Sequence, residues 1–218
     1  MKGSADPRER GFSGVRLHAT AIVEDGVQIG EGTAIWDAVH LRSGARIGSS
    51  CIVGEKTYIA GGTSIGDLVK INAFVYICAG VTIERGAMIA AGTVFTNDLF
   101  PRAATTDLRS LRSSEVDERT RPTLVREGAT IGAQCTIGSG LVIGRFAMIG
   151  MGSLVTRSIP DFALALGAPA RTVGWVCRCG EPVARSVQPA EADLPCRACG
   201  LAYLFRDGQI VELTPPGT

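Results

Sequence analysis

From Leu17 onward, every sixth residue is apolar. The series runs Leu17, Val23, Ile29, Ile35, Leu41, Ile47, Val53, Ile59, Ile65, Ile71, Ile77, Ile83 and Ile89, and closes on Phe95. Four positions after each comes a small or β-branched residue, as at Val27, Thr33, Ala45, Cys51, Thr63 and Ala87. A helix needs a spacing near 3.6 and a half-buried strand a period of two, so neither explains a hexad. A coil of short flat faces, each one hexad long, does. The aliphatic residue points to the axis and the small residue fills the corner. Gly between them gives the turn its left-handed backbone. Stacked coils then pair edge to edge as strands. The chain is expected to be all-β, a parallel β-helix with three hexads per coil.

The hexad disappears across residues 97–123 and returns at Val125, Ile131, Ile137, Ile143, Ile149 and Val155. The interrupting stretch mixes Arg102, Arg109, Arg112, Arg119 and Arg121 with Asp98, Asp107, Glu115, Asp117 and Glu118. It adds nothing to a stacked core, so it reads as a functional loop or as a disordered insertion. The organisation that follows is a flexible start over 1–16 and a β-helix over 17–160 carrying a loop at 97–124. A connecting segment over 161–175, a cysteine-bearing module over 176–212 and a tail over 213–218 complete it. The last coil needs an ending, because an open edge invites other chains.

Apolar residues make up 45% of the chain and aromatic ones only 6%, which suits a core of stacked Ile, Val and Ala. A formal charge of +1 gives no basic face for nucleic acid. No run is long enough to span a bilayer, and the first residues lack the apolar core of a secretory signal. A cytoplasmic protein without membrane or nucleic-acid partners is expected.

The module over 176–212 holds Cys177 and Cys179, then Cys196 and Cys199, each pair followed by Gly. Four thiolates in C-x-C and C-x-x-C spacing read as a structural tetrahedral Zn²⁺ site in a zinc-ribbon-like cap. The alternative, two disulfides, is disfavoured in a reducing compartment. Cys51 and Cys135 fall on inward corners, whereas Cys78 is expected to point outward. Zinc hydration chemistry of the γ-carbonic-anhydrase type would need three histidines, and the chain has two, His18 and His40.

Several stretches together carry a family resemblance. They are LHATAIVEDGVQIGEGTAIWDAVHL, GTVFTNDLFPRA, RPTLVREGATIGAQCTIGSGLVIGRFAMIGMGSLV and IPDFALALGAPARTVGWVCRCG. Over residues 17–180 the chain resembles the left-handed β-helix N-acetyltransferases of nucleotide-linked 3-amino sugars. Members act on UDP-2-acetamido-3-amino-2,3-dideoxyglucuronate or on dTDP-3-amino-6-deoxyhexoses. The resemblance supplies the handedness, which chain physics alone would set the other way. It implies a homotrimer, acetyl-CoA as donor and a nucleotide-sugar acceptor held in clefts between subunits. It also implies that Asn97, the Asn of the FTN segment, sits beside the sugar amine.

An Asn is no base, but its carbonyl can accept a hydrogen bond from the amine and aim the nitrogen lone pair. As a residue ending a strand, it also suits a turn. His40, Tyr58 and Tyr76 form one column at eighteen residues per coil, able to hold a sugar or base or to pack as a subunit face. His40 would be the base if the acceptor were a hydroxyl. Relatives carry an Asn-rich run after the central Lys-Ile; here it reads Lys70-Ile71-Asn72-Ala73-Phe74, leaving Asn72 as a substrate-binding candidate. Arg102 is a candidate for a pyrophosphate or a carboxylate. For CoA, the candidates are the amides around Gly150, Gly152 and Ser153, with Arg157 and Arg171 as cations. Alternatives to amino-sugar N-acetylation are an O-acyltransferase, another amine acceptor, or a non-catalytic scaffold.

Overall fold

A computed structural model describes residues 12–113, 116–189 and 193–213. Most of the stretches expected to be a flexible start (1–16) and tail (213–218) lie outside the described residues. Within them the hexads become short strands, nearly all two residues long, in three sheets of ten, seven and six strands. The pairing is parallel and steps by eighteen residues: Leu17 faces Ile35, His40 faces Tyr58, and Ile47 faces Ile65. The register follows from the sequence period, because three hexads return each aliphatic residue to its own column. Ile59, Ile71, Ile77, Ile89, Ile131, Ile137 and Ile143 are all fully buried along the axis. Burying each such side chain stabilises the coil by about 1.5–3 kcal/mol. The fold is the expected left-handed parallel β-helix of hexapeptide repeats.

The buried corners are not wholly apolar. Thr33 Oγ1 donates to the Gly48 carbonyl at 2.8 Å, and Thr57 Oγ1 to that of Asn72 at 3.0 Å. Each hydroxyl satisfies a turn carbonyl that the coil cannot reach otherwise. Gly takes the left-handed turn position at many corners, but not at all of them. Between the ten- and seven-strand sheets, Ala38, Lys56, Phe74 and Gln134 hold that position on four rungs, with φ between 51 and 59°, and Gly92 and Gly152 on two others.

The loop leaves the coil between Val94–Phe95 and Thr123–Val125. Val94 pairs with Thr136, 42 residues on instead of eighteen, so the excursion inserts 24 residues without shifting the rungs. It folds back on itself through antiparallel bridges Asp98–Thr120 and Ala104–Leu111. Arg112 closes its base, 3.8 Å from the Asp98 carboxylate and donating to the Phe100 carbonyl at 3.4 Å.

Pairing continues one rung past the last hexad. Strand Ala163–Gly167 lies parallel on Met148–Ile149 and turns through a cis Ala168–Pro169 bond into Ala170–Val176, which runs antiparallel. Pro182–Ala184 adds a further antiparallel strand. A separate three-strand sheet (Asp193–Pro195, Ala202–Arg206, Gln209–Glu212) follows. Phe146, Phe162 and Tyr203 carry the core from the coil into this end, with centroids 5.6 and 5.4 Å apart. Trp175 is buried against Phe205. The edge of the last coil is thereby covered on the ten-strand sheet.

Candidate active site

The corner between the seven- and six-strand sheets, with the excursion on its far side, forms an open cleft of about 1020 Å³. Tyr58 and Tyr76 form its wall, stacked with centroids 5.1 Å apart and planes 6° from parallel. Their eighteen-residue spacing makes that stack, since adjacent rungs place like residues one above the other. Asn97 stands where the coil gives way to the loop. Its Nδ2 donates to the Ala79 carbonyl at 3.3 Å, and its backbone carbonyl accepts the Arg121 amide at 2.9 Å. With the nitrogen committed, Oδ1 is the atom left to accept from a ligand. Arg102 lines the cavity from the loop, exposed, and among the described residues its guanidinium donates only to the Pro101 carbonyl.

At the far end of the cavity is a polar cluster that the hexad pattern does not announce. Glu24 Oε1 lies 2.6 Å from Arg42 Nε and 2.9 Å from His40 Nε2, while Oε2 accepts the Ser43 amide at 2.9 Å. The Ser43 amide, then His40 and Arg42, hold the Glu24 carboxyl down to about 2. Arg42 Nη1 donates to the Tyr58 hydroxyl at 2.9 Å. His40 packs edge-on against Tyr58 at 5.4 Å but does not line the cavity. Reading the corner column Glu24, Arg42, Ala60, Cys78 at eighteen-residue steps is the signal that would have found the cluster.

Cys78 corrects an expectation. It is buried rather than outward, packed into the core cluster, and burial pushes its thiol up to about 11. It lines the cavity beside Ala79 as an inert apolar surface.

Two models of the hexad repeat match the chain. One, described as the hexapeptide repeat of succinyl-transferase, matches residues 44–79 and 122–157; the other, bacterial transferase hexapeptide (six repeats), matches 62–97. Both describe the hexapeptide repeat that the coil of this chain is built from. Over 91 residues, 42% of its length, it is 44% identical to a dTDP-3-amino-3,6-dideoxy-alpha-D-galactopyranose 3-N-acetyltransferase of Aneurinibacillus thermoaerophilus. It spans 45% of that relative. A 63-residue stretch, 28% of the chain and 14% of the relative, is 35% identical to the bifunctional protein GlmU of Thermotoga maritima. The N-acyltransferase AntD of Bacillus cereus, solved with dTDP and 3-hydroxybutyryl-CoA, superposes with a TM-score of 0.48 at 19% identity. That match covers 82% of this chain and 93% of AntD.

The remaining candidates of this hexapeptide-repeat chain lie apart from the cavity. Asn72 is half-buried at the opposite end of its hexad, in the corner after Lys70–Ile71. The Gly150 and Gly152 amides are spent on the Ala165 and Ala133 carbonyls at 2.9 and 2.8 Å. Ser153 is buried, its hydroxyl donating to the Gly150 carbonyl at 2.7 Å and accepting the Gly167 amide at 3.2 Å. The two glycine amides and the Ser153 hydroxyl thus serve the coil end. Arg157 and Arg171 are both exposed near that end.

Cys177, Cys179, Cys196 and Cys199 converge as the spacing predicts, all Sγ atoms within 4.8 Å of one another. The pairs Cys177–Cys199 and Cys179–Cys196 stand 3.4 and 3.6 Å apart. That is too long for a disulfide bond of about 2.05 Å. It is close to the edge of a tetrahedron whose centre lies about 2.3 Å from each sulfur. Gly180 and Gly200, at φ 93 and 78°, close the two turns that aim the thiols. Tyr203 donates its hydroxyl to Cys177 Sγ at 3.1 Å.

Proposed function

We propose that the chain is an acetyl-CoA-dependent N-acetyltransferase of a nucleotide-linked 3-amino sugar, working as a homotrimer in the cytoplasm. The observation that carries this reading is the cavity holding Asn97 beside a wall of stacked tyrosines, in a chain related to an amino-sugar N-acetyltransferase. The volume is in the range of a site for a large polar ligand. Exposed Ile22, Val94 and Leu154 on the outer face of the seven-strand sheet give a subunit contact something to bury.

In the proposed reaction, Asn97 Oδ1 accepts a hydrogen bond from the substrate amine and turns its lone pair toward the thioester carbonyl. The nitrogen attacks that carbon, the C–S bond breaks, and the amine proton leaves with the CoA sulfur. Orientation is the main contribution, as a neutral amine needs no strong base. Arg157 and Arg171 remain the candidates for the CoA phosphates. His40, tied to Glu24 behind Tyr58, is poorly placed to activate a hydroxyl.

The four thiolates would hold a structural Zn²⁺, whose chemistry is to cross-link the two turns of the cap; four Cys ligands leave no open position for catalysis.

The deciding experiment is thiol release from acetyl-CoA with UDP- and dTDP-linked 3-amino sugars, using a hydroxyl-only sugar nucleotide as control. Release with an amino sugar alone is expected. Release with the hydroxyl control, or with none of the panel, overturns the reading.

A further inference from the structure

The corner beneath the excursion repeats every eighteen residues, so one coil can be compared with the next. In the first, a carboxylate from Glu24 sits on two donors at once, the Ser43 amide and the Arg42 guanidinium. One coil on, Arg42 takes the place of Glu24 and Gly61 the place of Ser43. No carboxylate follows. Among the described residues, nothing accepts the Gly61 N–H. Arg42 is fixed at Nε by Glu24 and at Nη1 by Tyr58, which among the described residues leaves Nη2 and the outer edge of the fork uncommitted. Both Arg42 and Gly61 line the cavity, and across it Arg102 has no carboxylate partner among the described residues.

We propose that Arg42 and the Gly61 amide form an oxyanion-binding corner that holds a phosphoryl group, or a carboxylate, of the substrate. An oxyanion there repeats, one coil higher, the position that the Glu24 carboxylate fills below. A guanidinium fork beside a backbone N–H is the donor set such a group takes. Glu24 is the positioning residue: it spends itself on orienting Arg42 rather than on the ligand. A nucleoside diphosphate fits best, since one phosphoryl group reaches Arg42 and the other has Arg102 within the same cavity. The inference rests on the sugar-nucleotide reading for the identity of the ligand.

The test is calorimetric binding of UDP, dTDP and free glucuronate to the full chain, its Arg42→Ala and Arg42→Lys variants, and an Arg46→Ala control on the six-strand sheet. Loss of the fork is expected to weaken diphosphate binding about tenfold or more in Arg42→Ala. Lys, a point charge without the fork, should recover only part of it. The Arg46 control and acetyl-CoA affinity should not move. A loss confined to glucuronate would identify the ligand group as the carboxylate. Equal affinity of wild type and Arg42→Ala for all three ligands, or no binding by wild type, overturns the corner. Turnover of an amino sugar with unchanged KM in Arg42→Ala also overturns it, but leaves the acetyltransferase reading in place. Arg42-dependent diphosphate binding without any turnover has the opposite meaning.

Discussion

Arg178 lies over the Phe146 ring, its guanidinium carbon 4.2 Å from the centroid, while its fork grips the Glu212 carboxylate with Nη2–Oε2 at 2.9 Å. Phe146 is a turn tip of the coil and Glu212 ends the last strand. Arg178 stands between Cys177 and Cys179, so one side chain fastens coil, cysteine cluster and final sheet together. Arg178→Ala leaves Glu212, 7% exposed, without its fork. A fully buried broken pair costs about 3–5 kcal/mol, and the partial exposure of Arg178 reduces this to about 2 kcal/mol. Urea unfolding checks it; a midpoint matching wild type would show that the cap does not depend on this contact.

The cysteine cluster is expected to carry one zinc per chain in protein purified without added metal. Chelation, or Cys196→Ser, should open the segment between the two cysteine pairs to proteases while the coil keeps its circular dichroism. A metal content near zero in folded, protease-resistant protein would refute the site. The thiols would then be held by packing alone.

Asn97→Ala removes one neutral hydrogen bond to Ala79, worth about 1 kcal/mol, so the chain should fold. Its turnover is expected to fall about 100-fold, the scale for a mispositioned reactant, with KM for acetyl-CoA unchanged. Steady-state kinetics on the amino-sugar substrate separate the two effects. Unaltered kcat would remove Asn97 from the site.

Glu24 gives the fold an acid-side signature. Its carboxyl is held down to about 2 by the Ser43 amide, His40 and Arg42, below its value in the unfolded chain. A carboxyl depressed on folding stabilises the protein above the ordinary carboxylate range, and that contribution is lost as pH falls toward about 2. The groups facing it are His40, Arg42, Ser43 and, through Arg42, Tyr58. Wild type should therefore be the more stable at neutral pH, and the stabilities of wild type and Glu24→Gln should converge on acidification. Denaturant curves at neutral and strongly acidic pH that stay parallel would contradict it.

The coil was legible because one period sets both what points inward and which rungs pair. Ile71 can occupy only one column once Val53 and Ile89 are placed eighteen residues to either side. The convergence of the four cysteines was legible from their C-x-C and C-x-x-C spacing, which is local. What the period does not encode is the reach of the excursion. Cys78 alternates outward by rule, yet it is buried with Ala60 of the same column, and both line the cavity beneath the excursion. Ser153 reads as part of an amide-lined groove, and its hydroxyl is taken up by the Gly167 amide of the unrepeated strand Ala163–Gly167. The pairing of Glu24 with Arg42 crosses from one coil to the next, so it is visible in columns and invisible along the chain.

The excursion has a consequence for how this protein can change. Val94 meets Thr136 as squarely as Tyr76 meets Val94, although 24 additional residues lie between the first pair. The coil counts rungs, not residues. A replacement of different length and composition, spliced between Phe95 and Thr123, leaves every later column indexed as before. The excursion is thus an exchangeable cassette on an invariant chassis, and the far side of the cavity can be rebuilt without refolding the barrel beneath it.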